Sequence, residues 1–235
     1  MKAFLLAAGV GSRLRPITNT TPKCMLSIGG QPLIDIWLDA FDRAGVDEVL
    51  VNLHHLPDVV RSHLKARAGS LQPTVRTVFE PELLGNAGTL AANRSWVDGE
   101  EMFLACNADN LTDFDLRSLV ETHRAHGAIA TLVVFRSERP SAGGVVELNA
   151  DGTVVGFTEK PSKPVSDLVN AGIYAFHPRV LDEISGPLPY DIGYDLLPQL
   201  VGRAKAIPME GYFRDVGTVD AYQRAQQEWL VRAAI

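Results

Sequence analysis

The 235-residue chain has only two cysteines, Cys24 and Cys106, and no CxxC pair. That spacing excludes a cysteine-built zinc or dithiol redox site and predicts two free, buried thiols in a reducing cytoplasm. No stretch approaches 18 apolar residues, so no membrane partner is expected. Lys and Arg total 22 against 28 Asp and Glu, a net charge of −6, and the cations form no dense tract. Nucleic acid is therefore not an expected partner. Internal repeats, low-complexity tracts and long linkers are also missing. The start, Lys2 followed by the apolar residues 3–8, imitates a secretory leader. Gly9, Gly11, Arg13 and Arg15 stand where a small-residue cleavage site would have to be, so the run reads as a first strand.

What is present fits an ordinary globular chain: 46% hydrophobic and 21% charged residues, with 20 Gly and 14 Pro. At roughly 100 to 200 residues per domain, one domain over residues 1–235 is expected. Strand-length apolar runs (4–8, 49–53, 75–79, 103–107, 130–135) alternate with segments of helical period. Leu33, Ile34, Trp37, Leu38 and Phe41 step by three and four between Pro32 and Gly45, which predicts a helix. Residues 59–68 predict a second and residues 90–96 a shorter one, while Asp113 is placed to cap a helix over Leu116, Leu119, Val120 and His123. After Arg136 the pattern changes to a hairpin, 144–148 and 154–158 around Asp151-Gly152, then a strand at 169–176 and a closing helix at 221–231. The expected class is α/β, a doubly wound Rossmann-like mixed sheet with a small inserted β lobe. Sites in such sheets lie beyond the carboxyl ends of the strands.

The loop after the first strand, Gly9-Val10-Gly11-Ser12-Arg13-Leu14-Arg15-Pro16 running on to Pro22-Lys23, combines glycines with cations. Such a loop brings backbone N–H groups and positive charge to phosphate oxygens. A Walker loop would need Gly-Lys-Ser/Thr, and a dinucleotide fingerprint would need glycine where Leu14 stands, so NAD is not expected.

The longer pattern Leu-Ala-Ala-Gly-x-Gly-Ser-Arg-Leu-x-Pro-x-Thr with Pro22-Lys23 resembles the signature of sugar-1-phosphate nucleotidylyltransferases. Further matches follow in the family's order: Leu84-Gly85-Asn86-Ala87-Gly88, Asn107-Ala108-Asp109, Gly143-Gly144-Val145-Val146, Glu159-Lys160-Pro161, Asn170-Ala171-Gly172-Ile173-Tyr174 and Arg214-Asp215-Val216-Gly217-Thr218. The resemblance covers essentially the whole chain, and the version it suggests is like a mannose- or heptose-1-phosphate guanylyltransferase.

The resemblance implies transfer of a nucleoside monophosphate from a nucleoside triphosphate to a sugar 1-phosphate, releasing pyrophosphate. Both reactants are anions, so positioning and charge neutralisation would carry the chemistry. By the family's pattern, Arg13, Lys23 and Asp109 are catalytic, and Asp109 with Asp215 would hold Mg²⁺. Leu6, Ala8, Gly9, Gly11, Ser12, Arg13, Lys23, Glu80, Gly85, Gly88 and Asn107 would bind the nucleotide. Gly144, Glu159, Lys160, Asn170 and Gly172 would bind the sugar phosphate. About residues 1–136 would form the nucleotide half and about 137–235 the sugar half. Longer relatives carry a C-terminal left-handed β-helix; nothing in this sequence matches one, so a monomer or homodimer is expected.

Glu80 bears on the base. A carboxylate can accept both N1–H and N2–H of guanine but repels the carbonyls beside the N3–H of uracil or thymine, which favours GTP over UTP, CTP and dTTP. Asn86 departs from the threonine common in guanylyltransferases. The acceptor would be a manno-configured hexose or heptose 1-phosphate or a related cyclitol phosphate. A nucleotide-sugar sensor without catalysis would be expected to have lost Arg13, Lys23 or an aspartate. Asn52, His54 and His55 read as a polar cluster at a strand end. Asp191 and Asp195 either contact sugar or cap a helix around residues 196–200.

Overall fold

The computed structural model describes residues 1–69 and 73–232. In chain order the strands are β1 (Lys2–Leu6), the short β2 (Ser27–Ile28) and β3 (Gln31–Pro32), β4 (Glu48–Leu53), β5 (Thr74–Phe79), β6 (Phe103–Asn107), β7 (Asn110–Thr112) and β8 (Ala130–Arg136). They continue as β9 (Gly144–Leu148), β10 (Val154–Glu159), β11 (Leu168–Phe176), β12 (Ala204–Pro208) and β13 (Phe213–Asp215). The α-helices are α1 (Leu33–Arg43), α2 (Pro57–Arg67), α3 (Asn86–Ala92), α4 (Leu116–His126) and α5 (Val219–Arg232).

Strand β1 is apolar on both faces because both are covered. Ala3 and Leu5 point into one core with Ile34, Trp37, Leu38 and Phe41 of α1 and Leu119 of α4. Phe4 points into the opposite core with Phe103, Phe176 and Leu200. Truncating a fully buried ring such as Phe41 typically costs about 3–5 kcal/mol. β1 pairs in parallel with β4 on one side and with β6 on the other, and β5 extends the sheet parallel to β4. β11 runs antiparallel between β6 and β8, and β12 lies parallel to β8. The fold is thus the expected α/β class with a mixed, mostly parallel sheet.

The chain leaves β1 towards β4 and returns on the other side at β6. The carboxyl ends of β1 and β6, at Leu6 and Asn107, therefore flank the crevice where such sheets bind ligands. A third apolar cluster (Leu14, Leu26, Ile28, Leu33, Val216, Ala225) packs the glycine loop against α5.

Some elements differ from expectation. The β9–β10 hairpin is not a separate lobe, since Val145 pairs with Val169 and makes it part of the main sheet. α3 begins at Asn86, not residue 90: its Gly-containing first turn has poor intrinsic propensity, but the Ala87 and Gly88 N–H groups donate to Tyr190 O at 3.0 Å each. α4 is capped by Asp115, which accepts from Arg117 N at 3.1 Å; Asp113 lies too far upstream and accepts from Tyr212 N at 2.7 Å. β12, a five-residue edge strand ending in Pro208, has no counterpart in the sequence reading. Cys24 and Cys106 are buried free thiols, and burial pushes the Cys24 thiol up to about 12. No helix among the described residues is long and apolar enough to cross a membrane.

His123 links α4 to β8 through Nδ1, 2.8 Å from Thr131 Oγ1. Burial, and then the nearby His126 and His177, hold its imidazole down at about 4. Its stabilising contribution is complete above an ordinary histidine value near 6.5 and is lost as pH falls from there to about 4. At full weight the loss is about 3 kcal/mol. An NMR titration should place the ring's midpoint near 4; a midpoint at the ordinary value contradicts this account.

Candidate active site

The glycine loop leaves β1 in a left-handed turn at Gly11 (φ 66), which a side chain would oppose twice. The backbone conformation is disfavoured, and a Cβ would stand 2.9 Å from Thr18 Cγ2. Thr18 Oγ1 donates to Gly11 O at 2.8 Å, and Leu14 N–H donates to the same carbonyl at 2.9 Å. The turn leaves Ser12 and Arg13 exposed and Leu14 buried as the anchor.

Lys23 closes the loop and is nearly buried, at 8% exposure. Its ammonium donates to Asp109 Oδ2 and lies 3.6 Å from Asp215 Oδ1. Two backbone features bring these aspartates together. β7 and β13 form a ribbon with Asp215 opposite Asn110, and Val216 N–H donates to Asp109 O at 2.9 Å. Burial and then the neighbouring Asp109 charge raise the Asp215 carboxyl above the usual range, against the pull of Lys23 and Arg13. The pair thus has more negative charge than one ammonium balances.

Two cavities meet here. The first, about 270 Å³, is lined by Leu6, Ala8, Gly9, Lys23, Glu80, Gly85, Asn107 and Asp109 from the sequence-predicted set, with Asn52, Asn86 and Asp191 added. The second, about 290 Å³, is lined by Gly144, Glu159, Lys160, Asn170, Gly172 and Asp215, with Arg139 added, and shares Asn107 and Asp109 with the first. Gly11, Ser12, Arg13 and Gly88 line neither. Gly88 is buried against Leu188, while Arg13 lies beside Gly217 near Asp215.

Glu80 is buried at 3% exposure and lines the first cavity. Its Oε1 accepts from Asn52 Nδ2 at 2.9 Å and Thr89 Oγ1 at 2.6 Å, while Oε2 has one long contact, 3.4 Å from Leu84 N. Asn52 Oδ1 in turn accepts from Ala7 N at 2.7 Å, so the buried side chain joins the start of the glycine loop to Glu80. Asn52 lines the site, and its signal was a polar residue within the otherwise apolar, buried run 49–53 of the strand beside β1. His54 and His55 are the expected polar cluster, with ring nitrogens 2.8 Å from Glu80 O and 2.7 Å from Thr18 O.

In the second cavity Glu159 sits between two backbones. A Cβ on Gly144 or Gly193 would stand 2.6 or 2.7 Å from its Oε2. Burial raises the Glu159 carboxyl, Lys160 opposes this and Asp191 adds to it. Asp191 resolves as a cap, with Oδ1 accepting from Gly193 N at 2.7 Å and Tyr194 N at 2.9 Å, and it also lines the first cavity. Asp195 Oδ2 accepts from Asp191 N at 2.7 Å and lines neither cavity.

Asp109 and Asp215 suit a hard divalent cation: two carboxylates line a shared cavity. No group of three or more His, Cys, Asp or Glu is placed to hold a metal among the described residues. The rest of a coordination shell would fall to phosphate oxygens and water.

The model of the nucleotidyl transferase family matches residues 2–231. A mannose-1-phosphate guanylyltransferase catalytic subunit beta of Drosophila pseudoobscura pseudoobscura is 35% identical over 219 residues, covering 92% of this chain and 59% of that protein. A mannose-1-phosphate guanyltransferase of Schizosaccharomyces pombe is 35% identical over 227 residues, covering 94% and 62%. The chain thus spans about three fifths of the length of the curated relatives it matches. Among solved structures, a Bacillus anthracis protein provisionally assigned as a glucose-1-phosphate thymidylyltransferase superposes with TM-score 0.85 at 24% identity, covering 97% of this chain and 94% of that one. HddC from Yersinia pseudotuberculosis, complexed with GMP-PN, gives TM-score 0.79 at 21% identity over 97% and 99%. With a fold shared along nearly its full length and a family match from residue 2 to residue 231, this chain belongs to the nucleotidyl transferase family.

Proposed function

We propose that the protein transfers a nucleoside monophosphate, preferentially from GTP, to a sugar 1-phosphate, with mannose 1-phosphate or a related manno-configured or cyclitol phosphate as acceptor. The observation that carries this reading is the junction of the two cavities at Asn107 and Asp109, with Lys23 and Asp215 beside it. A donor in the first cavity and an acceptor in the second would meet at one charged centre. About residues 1–136 supply most of the donor half and about 137–235 most of the acceptor half. Mg²⁺, when bound at Asp109 and Asp215, would supply neutralisation and orientation of phosphate oxygens. The buried free thiols are consistent with a reducing cytoplasm, and the protein would act as a monomer or homodimer without nucleic acid or membrane.

The chain's own residues divide the work electrostatically. Backbone N–H groups of the glycine loop and the Arg13 guanidinium receive the departing pyrophosphate. Lys23, already desolvated, holds charge beside the α-phosphate without needing to reorganise. Glu159, Asn170 and the bare backbones at Gly144 and Gly172 orient the acceptor's hydroxyls, and Lys160 meets its phosphate. In-line attack then needs alignment and no covalent enzyme intermediate. Glu80 Oε2, the carboxylate oxygen with spare accepting capacity, favours guanine. The guanylyltransferase relatives support the same base and acceptor.

Pyrophosphate release from GTP, UTP, CTP, dTTP and ATP against hexose, heptose and cyclitol 1-phosphates, with and without Mg²⁺, tests the reading. Turnover of GTP with one acceptor, only with metal, is expected; silence from folded protein across the matrix overturns it. Asp109→Asn and Asp215→Asn should each lower metal-dependent turnover by at least about 100-fold in protein that remains folded, with a lower melting transition, most of all for Asp109→Asn, because Lys23 loses a carboxylate partner. Unchanged activity removes that residue from the metal site. Glu80→Gln should narrow the preference for GTP over UTP by about 10-fold or more, and undiminished selectivity removes Glu80 as the base reader.

A further inference from the structure

A phosphate monoester entering the second cavity meets three carboxylates, Asp109, Glu159 and Asp215, and two cations, Lys160 and Arg139. The charges of the other cations nearby are partly spent. Lys23 serves Asp109 and Asp215. Lys160 Nζ lies 3.7 Å from Glu159 Oε1 and 5.5 Å from the centroid of the Tyr194 ring. Its backbone is held in a left-handed conformation (φ 46), with N–H donating to Gly143 O at 3.0 Å.

Arg139 differs. Most arginines of this chain are tied to a carboxylate, as Arg136 is to Asp167 and Arg214 to Glu228. The Arg139 guanidinium has no ion pair or hydrogen bond among the described residues, and the side chain is exposed. Its backbone is nonetheless fixed: N–H donates to Ser137 Oγ at 3.1 Å and the carbonyl accepts from Ala142 N at 3.0 Å. The short turn Pro140–Ala142 then leads to Gly143, whose carbonyl holds Lys160. Both cations therefore spring from backbone linked through one loop. Arg13 and Arg15 in the glycine loop are likewise outside any ion pair among the described residues.

We infer that Arg139 is a binding residue for the phosphate of the acceptor, forming with Lys160 the cationic half of that subsite. The inference rests on the reaction proposed above. A phosphate dianion has two charges to balance, and a planar guanidinium can meet two of its oxygens at once. With Arg139 removed, three carboxylates would face the incoming anion with Lys160 as the one cation lining this cavity.

Arg139 is exposed, so Arg139→Gln should fold as the parent does. In pyrophosphate release with GTP and the acceptor the parent uses, Arg139→Gln should raise the acceptor KM about 10- to 100-fold and leave the GTP KM unchanged. Arg139→Lys should recover part of the loss, and the acceptor KM of the parent should rise more steeply with KCl than that of Arg139→Gln. An acceptor KM within twofold of the parent overturns the assignment while leaving the reaction intact. If the parent turns over no pair, the reaction itself has failed, and calorimetric titration with mannose 1-phosphate judges Arg139 separately. Binding to the parent that disappears in Arg139→Gln supports it; equal binding to both, or none to the parent, overturns it.

Discussion

One ammonium group between two carboxylates holds the site together. Lys23 is nearly buried, and a cation in such a place is tolerated only when paired, since an uncompensated buried charge costs several kcal/mol. Its partners come from far along the chain: Asp109 just beyond β6 and Asp215 at the end of β13. The β7–β13 ribbon, the backbone bond from Val216 to Asp109 and the packing of Leu14 and Val216 with α5 all keep these three side chains within reach. The same contacts that satisfy the lysine thus bring the glycine loop, the switch-point strand and the C-terminal helix to one place. Lys23 pairs directly with both aspartates, while Arg13 acts on Asp215 from beside Gly217, and the carboxylate oxygens that line the second cavity are what a divalent cation would engage.

Around that centre the protein uses two kinds of rigidity. The first cavity is stiffened by a buried polar chain, from Ala7 N through Asn52 to Glu80 and Thr89, whose members are hydrogen-bonded to one another. The second cavity is stiffened by missing side chains: Gly144 and Gly193 let two backbones close on Glu159, so its carboxylate has little room to rotate. A network resists distortion through its hydrogen bonds, and a glycine cradle resists it sterically.

Much of this was legible in the residues. β1, β4, β6 and β8 were visible as short apolar runs because strands buried on both faces have no solvent face to make polar, whereas the exposed edge strand β5 shows only as Val75, Val78 and Phe79 among polar residues. The glycine loop with Lys23 was recognisable from residue types and spacing, Asp109 and Asp215 came from the family resemblance, and most of the remaining motif residues line one of the two cavities. What escaped was tertiary in origin. α3 starts early because Tyr190, a hundred residues away in sequence, accepts its first N–H groups. β12 exists because β8 offers it an edge. Asn52 and Arg139 are single residues outside any motif, and only the folded sheet brings one to the first cavity and the other to the second. Gly88 shows the converse: its place in a motif suggested ligand contact, whereas its smallness serves packing under Leu188.

β11 changes partners along its length. Residues Ile173–Phe176 pair with β6, whereas Val169 pairs with β9, and the register shifts against β8 between Asn170 and Tyr174, where Gly172 takes φ 67. The irregularity separates the stretch of β11 that meets the β9–β10 hairpin from the stretch that pairs with β6, at whose carboxyl end stand Asn107 and, just beyond it, Asp109. Strand β11 thus joins the hairpin side of the second cavity to the β6 side through a stretch where the pairing is already interrupted.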